Sequence, residues 1–159
     1  MGSPPICSGS QATLPSKLES RPPRERAYVA LGSNLGDRAA HLRKAREALA
    51  SLPDTELVAA SAIEETAPLG GMRQPSYLNQ MVLLETGLEP RRLLEACQAI
   101  EQQEGRQRTE RWGPRTLDLD IVRFGDRRVS DSDLIIPHPE LSDRDFWRRE
   151  LAELNSHER

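Results

Sequence analysis

Residues 116–124 read TLDLDIVRF, and no other stretch of the 159-residue chain restricts the fold so strongly. Leu117, Leu119 and Ile121 alternate with Asp118, Asp120 and Val122, the period of two that belongs to a strand with one apolar face. A helix would scatter the same residues around its circumference. The strand therefore needs a sheet packed on one side. Its other side presents two carboxylates on residues with Cα atoms roughly 6.5 to 7 Å apart.

Upstream, the chain divides into short segments of strand and helix character. Ala27 to Ser33 (AYVALGS) is an apolar run closing in a turn at Asn34-Leu35-Gly36, and Asp37 is placed to cap a helix carrying Leu42, Ala45, Leu49 and Leu52 on one face. Pro53-Asp54 ends that helix. Thr55 to Thr66 predicts a second strand, broken by Pro68 to Gly71, and Tyr77 to Glu85 a third. Pro90 stands near the first turn of a second helix with Leu93, Cys97 and Ile100 on one face, and Gly105 is placed to stop it. The order β-α-β-β-α-β predicts an α+β fold of the ferredoxin-like kind, an antiparallel sheet with two helices packed on one face.

Composition narrows the class of protein. With 36% hydrophobic and 30% charged residues, the chain suits one soluble domain with a modest core, and no run approaches the ~20 apolar residues of a membrane span. Residues 1–26, rich in Pro, Ser and Gly, predict a disordered tail preceding a domain over 27–159, and they lack the apolar block of a secretory signal. Met1-Gly2 opens like a myristoylation site, but Ile6 stands where that motif needs Ser or Thr. Cys7 and Cys97 form no closely spaced thiol pair, so a reducing, cytoplasmic setting is expected. A net charge of −3 gives no reason to expect nucleic acid as a partner.

The two aspartates suit Mg²⁺, a hard cation that takes one or two carboxylates and completes its octahedron with water and phosphate oxygens. Alone, such a pair is equally consistent with a solvated sheet face. Arg106, Arg108, Arg111 and Arg115 precede it within ten residues, opposed only by Glu110, and guanidinium groups bind phosphate bidentately. Gly105 and Gly113 would let that segment fold over a ligand. There is no GxxxxGK[ST] loop and no GxGxxG, so a nucleotide would be held by another device.

Arg111-Trp112-Gly113-Pro114-Arg115-Thr116-Leu117-Asp118-Leu119-Asp120-Ile121-Val122 resembles the signature of the 6-hydroxymethyl-7,8-dihydropterin pyrophosphokinase family of folate biosynthesis. The resemblance extends through Ala30 to Gly36, Thr66 to Gly70, Gln74 to Asn79, Ile136 to Pro139, and on to Arg144 and Phe146. It implies a diphosphokinase acting on ATP and 6-hydroxymethyl-7,8-dihydropterin with two Mg²⁺ ions, the pterin hydroxymethyl oxygen attacking the β-phosphorus and AMP leaving. By the same resemblance Asp118 and Asp120 bind the metals, and Arg106 and Arg115 stabilise the transferring phosphates. Gln98, Glu101, Arg108, Trp112, Ile121, His138 and Arg144 line the nucleotide site. Tyr77 and Phe146 sandwich the pterin ring, with Asn79, Thr66, Pro68, Leu69 and Trp112 around it. A monomer that binds neither nucleic acid nor membrane is expected.

The resemblance departs at one place. Where the family usually continues after Phe146 with Val-Leu-x-Pro-Leu, this sequence has Trp147-Arg148-Arg149-Glu150-Leu151, and it ends at Arg159, short of the family's usual carboxy-terminal stretch. Arginines at apolar positions predict disturbed packing there. Two other readings compete: a degenerate relative that binds ligand but turns over slowly, and an RNA-binding module on the same sheet. The second conflicts with the negative charge and with strands that lack an RNP-like aromatic pattern. Nuclease or phosphatase chemistry would use the aspartates but leave the arginine segment unexplained.

Overall fold

The computed structural model describes residues 23–67, 75–105 and 116–156. Seven strands and three helices occur among them: β1 (Glu25–Ser33), α1 (Arg38–Ala50), β2 (Thr55–Ala60), β3 (Glu64–Thr66), β4 (Tyr77–Thr86), α2 (Pro90–Gln103), β5 (Asp118–Phe124), β6 (Val129–Ser130), β7 (Ile135–Ile136) and α3 (Asp145–Ser156). The main sheet runs in the order β2-β4-β1-β5, with β3 also paired to β4 and every pairing antiparallel. β6 and β7 form a separate small hairpin.

The helices begin and pack for local reasons. Asp37 caps α1, its Oδ1 accepting from the Ala40 N–H at 3.1 Å, and Pro90 opens α2 where its missing N–H costs nothing. Leu42, Ala45 and Leu49 of α1 and Leu93, Cys97 and Ile100 of α2 are buried in one core with Ala27, Val29, Leu31, Leu117, Leu119 and Ile121. Burial pushes the Cys97 thiol well above its ordinary range, which leaves it protonated and unreactive.

Two helices on one face is not the whole arrangement. α3 covers the opposite face, where Trp147, Leu151 and Leu154 join Tyr28, Ala30, Met81, Leu83 and Val122 in a second core. The stripe at 147, 151 and 154 has helical spacing, and it turns the divergent segment into a packed element. Arg148 and Arg149 face solvent, so the arginines do not disturb the packing. α3 is tied down at three points: Tyr28 Oη donates to Asn155 Oδ1 (3.0 Å), the Ala62 N–H to Glu153 Oε2 (3.0 Å), and Arg149 Nη2 to Glu64 Oε1 (2.7 Å).

Thr55 to Thr66 is two strands rather than one. Between Ala60↔Val82 and Glu64↔Asn79 the chain takes four steps against three on β4, so it carries a residue too many for continuous pairing. Ser61 bridges the break: its N–H donates to Met81 O (2.8 Å), its Oγ accepts from the Met81 N–H (2.9 Å), and its carbonyl accepts from Gln80 Nε2 (2.6 Å). β5 carries an irregularity of its own opposite Tyr28/Val29, which puts Val122 in the α3-side core and Phe124 in the other.

Candidate active site

The site is laid out by two rungs of the sheet. Gly32 of β1 pairs with Asn79 of β4 on one side and Asp118 of β5 on the other, and Ala30 pairs likewise with Met81 and Asp120. Side chains two apart share a face, so Tyr77, Asn79, Asp118 and Asp120 stand on the same side of the sheet as α3. The central strand contributes only a hydrogen and a methyl group to those rungs. That leaves a hollow about 10 Å across, two strand spacings, between Asn79 and Asp118. A Cβ on Gly32 would lie 3.3 Å from Asn79 Oδ1 and 3.6 Å from Tyr77 Cδ1, so glycine lets these two side chains lie over the strand.

The β4 side of the hollow is held by polar contacts. Asn79 is 7% exposed and donates through Nδ2 to Thr66 Oγ1 at 2.6 Å. Thr66 is also the register partner of Tyr77. Arg38 Nη1 donates to the Ser76 carbonyl (2.7 Å) and Asn34 Nδ2 to the Pro75 carbonyl (3.4 Å), which fixes the chain entering β4. Asn34, within the Ala30 to Gly36 segment, and Arg38, just after it, thus have structural tasks that local pattern did not announce.

At the other end, Asp118 and Asp120 are partly exposed on β5. Glu101 of α2 lies beneath them, 6% exposed, and its Oε2 accepts the Leu119 N–H at 2.8 Å. One of its oxygens therefore pins the strand between the two aspartates. Ile121 is 4% exposed in the core under α1 and α2, so its side chain belongs to the packing on that face. Gln98 is solvent-exposed on α2.

His138 approaches from the segment after β7. Its N–H donates to Val122 O (3.0 Å), and its Nδ1 accepts from the Glu140 N–H (3.1 Å). Nε2 is then the nitrogen left to carry the proton of the neutral ring, and it faces Asp120 Oδ1 at 3.6 Å. Arg144 gives Nε and Nη2 to Glu140 Oε1 at 2.9 and 2.6 Å, and its Cζ lies 4.5 Å from the centroid of the Trp147 ring. Phe146 packs at the edge of the same core, its ring 6.2 Å from that of Trp147.

Asp118, Asp120, His138, Arg144, Phe146, Tyr77, Asn79 and Thr66 are therefore assembled on the α3 side of the sheet or at its border. Pro68, Leu69, Arg106, Arg108, Trp112 and Arg115, expected around the same site, lie outside the described residues. Glu140 and Trp147 had no role from the sequence. The only signal was spacing, with Glu140 four residues before Arg144.

Carboxylates, an imidazole, a guanidinium and aromatic rings thus gather along one face of the antiparallel sheet of a small α+β protein. The comparisons narrow the class. The profile described as 7,8-dihydro-6-hydroxymethylpterin-pyrophosphokinase (HPPK) matches residues 28–156. The chain is 45% identical over 130 residues to a Pseudomonas aeruginosa protein, covering 82% of this chain and 80% of that one. It is 44% identical over 128 residues to a Bacillus subtilis protein, covering 80% and 77%, and 51% identical over 114 residues to one from Pseudomonas putida, covering 71% and 93%. All three are named 2-amino-4-hydroxy-6-hydroxymethyldihydropteridine pyrophosphokinase. The chain belongs to the HPPK family.

Proposed function

We propose that this protein transfers a pyrophosphoryl group from ATP to the hydroxymethyl group of 6-hydroxymethyl-7,8-dihydropterin in folate biosynthesis, releasing AMP. The hydroxymethyl oxygen forms a bond to the β-phosphorus of ATP while the bond from that phosphorus to the AMP oxygen breaks, and the hydroxyl proton is lost. The observation that supports this reading is the pair of rungs, Asn79–Gly32–Asp118 and Met81–Ala30–Asp120, which stand Asn79 and the two aspartates on either side of a strand without bulky side chains. Such transfer depends on alignment and charge neutralisation more than on covalent chemistry from the protein.

Tyr77 and Phe146 supply the faces of the pterin slot, and Asn79, Thr66, Pro68 and Leu69 its polar and backbone edge. His138 and Arg144 hold nucleotide phosphates, with Gln98, Glu101, Arg108, Trp112 and the backbone at Ile121 around the nucleotide. Arg106 and Arg115 act on the transferring group. Asp118 and Asp120 hold magnesium. No group of three or more His, Cys, Asp or Glu among the described residues is arranged to hold a metal, which fits a cation that takes two protein carboxylates and draws its other ligands from phosphate and water. Magnesium ions held there would supply charge neutralisation to the triphosphate.

We read β1, β2, β4 and β5 with α1 and α2 as a ferredoxin-like frame to which β3, the β6–β7 hairpin and α3 are added. We assign the working domain to a unit that begins with β1 at Glu25, two residues before the Ala27 start expected from the sequence, and place the protein in the cytoplasm as a monomer. No helix among the described residues is long and apolar enough to cross a membrane. The deciding assay supplies Mg²⁺, ATP and 6-hydroxymethyl-7,8-dihydropterin and measures AMP. Formation of ADP or free phosphate without AMP would reject the reaction.

A further inference from the structure

We infer that Trp147 is a positioning residue for the nucleotide-phosphate end of the site, its indole fixing the His138 ring and the Arg144 guanidinium in their working orientations. This rests on the phosphate-binding reading of His138 and Arg144 given above. The indole is 2% exposed and is the largest fully buried side chain among the described residues, so its own orientation is set by the α3-side core. Its ring meets the His138 ring edge to face at 4.9 Å with an interplanar angle of 85°. It also carries the Arg144 Cζ 4.5 Å from its centroid. The Trp147 N–H donates to the Arg144 carbonyl at 3.1 Å, so backbone and side chain both couple the two residues.

Packing alone does not require an indole here, because an aliphatic side chain could also fill the apolar space beneath Ala30, Met81 and Val122. What only the aromatic ring provides is a flat, electron-rich surface. A guanidinium can stack on that surface while its N–H groups stay available in the plane, and an imidazole can abut it without losing its hydrogen bonds. Glu140 completes the frame through its backbone N–H on His138 Nδ1 and its carboxylate on Arg144. An arginine held on two sides loses less rotamer freedom when it takes up phosphate, so pre-orientation strengthens nucleotide binding without adding a contact.

The test is steady-state kinetics on the full chain with Mg²⁺, ATP and pterin, reading AMP, for Trp147→Leu, Trp147→Phe, Arg144→Ala and the double variant Trp147→Leu/Arg144→Ala, alongside their melting temperatures. Loss of the aromatic face in Trp147→Leu raises the ATP KM about tenfold, leaves the pterin KM within about twofold, and is largely rescued in Trp147→Phe. In the Arg144→Ala background the leucine adds little further, because the platform then has no guanidinium to hold. A wild-type ATP KM in Trp147→Leu, or a loss that adds in full to that of Arg144→Ala, overturns the inference while leaving the proposed reaction standing. A wild-type ATP KM in Arg144→Ala removes the phosphate role of Arg144 and this inference together. If Trp147→Leu melts below the assay temperature, Trp147→Met replaces it with the same outcomes.

Discussion

Asp120 Oδ1 lies 3.6 Å from His138 Nε2, joining a β5 carboxylate to an imidazole that follows the small β6–β7 hairpin. The contact ties the imidazole to the strand that carries both aspartates. It also places the histidine between Asp120 and the Trp147 ring on which Arg144 lies.

Asp118→Asn and Asp120→Asn are expected to lower turnover by roughly 10²-fold or more each, since each removes a charge meant for the metal–phosphate complex while preserving volume. The fold should survive because both side chains are partly exposed. AMP formation compared at matched circular dichroism decides the matter, and near-normal turnover in either variant would remove that aspartate from the metal site.

Gly32→Ala is expected to act on the pterin alone. Its new methyl group would lie 3.3 Å from Asn79 Oδ1, tighter than ordinary contact, so Asn79 must give by a few tenths of an ångström, while Tyr77 Cδ1 at 3.6 Å stays in ordinary contact. The pterin KM should rise by about three- to tenfold with the ATP KM little changed, an effect of about 1 kcal/mol on ligand positioning. An ATP effect as large as the pterin effect would place the slot elsewhere.

Glu101→Ala should destabilise the protein by about 1 to 3 kcal/mol, because the buried Leu119 N–H would lose its acceptor. Glu101→Gln, whose side-chain oxygen can still accept, should recover most of that loss. Urea unfolding of the three proteins makes the comparison, and equal loss in Ala and Gln would show that charge rather than the hydrogen bond is what β5 requires.

Glu150 makes stability depend on pH. It is 3% exposed, both its oxygens are buried with no hydrogen-bond partner among the described residues, and burial first, then the charges of Glu64 and Glu153 against the partial relief of Arg149, push its pKa up to about 8. Folded Glu150 is therefore protonated at neutral pH, whereas in the unfolded chain it ionises near its ordinary value of 4.5. Its contribution is complete below about pH 4.5, declines as pH rises, and is fully lost above about pH 8, a swing on the order of a few kcal/mol. Replacing it by Leu should raise the unfolding free energy most at pH 9 and least at pH 5. A gain independent of pH would show that Glu150 is not the titrating group.

Much of this molecule was legible in local pattern. The alternation in TLDLDIVRF, the helical stripes at Leu42/Ala45/Leu49 and Leu93/Cys97/Ile100, the Asp37 cap and Pro90 all act over a few residues, and they form the elements found here. The split of the second strand was not legible, because the extra residue shows only against the β4 register. α3 was hidden for a different reason. Two arginines and a glutamate among Trp147, Leu151 and Leu154 blur an apolar stripe that becomes plain only once the arginines point to water.

By itself the sequence determined which residues are apolar at which period, hence the strand that carries Asp118 and Asp120 and the family to which the chain belongs. Only the tertiary structure decided which strands adjoin. That choice set Gly32 and Ala30 between Asn79 and Met81 of β4 and Asp118 and Asp120 of β5, brought His138 to Asp120, laid Trp147 under Arg144, and buried the Glu150 carboxylate without a hydrogen-bond partner among the described residues. The reason is physical: periodicity reports on the nearest turn of backbone, whereas register and helix docking follow from contacts between residues tens of positions apart, whose free energy belongs to the assembled core.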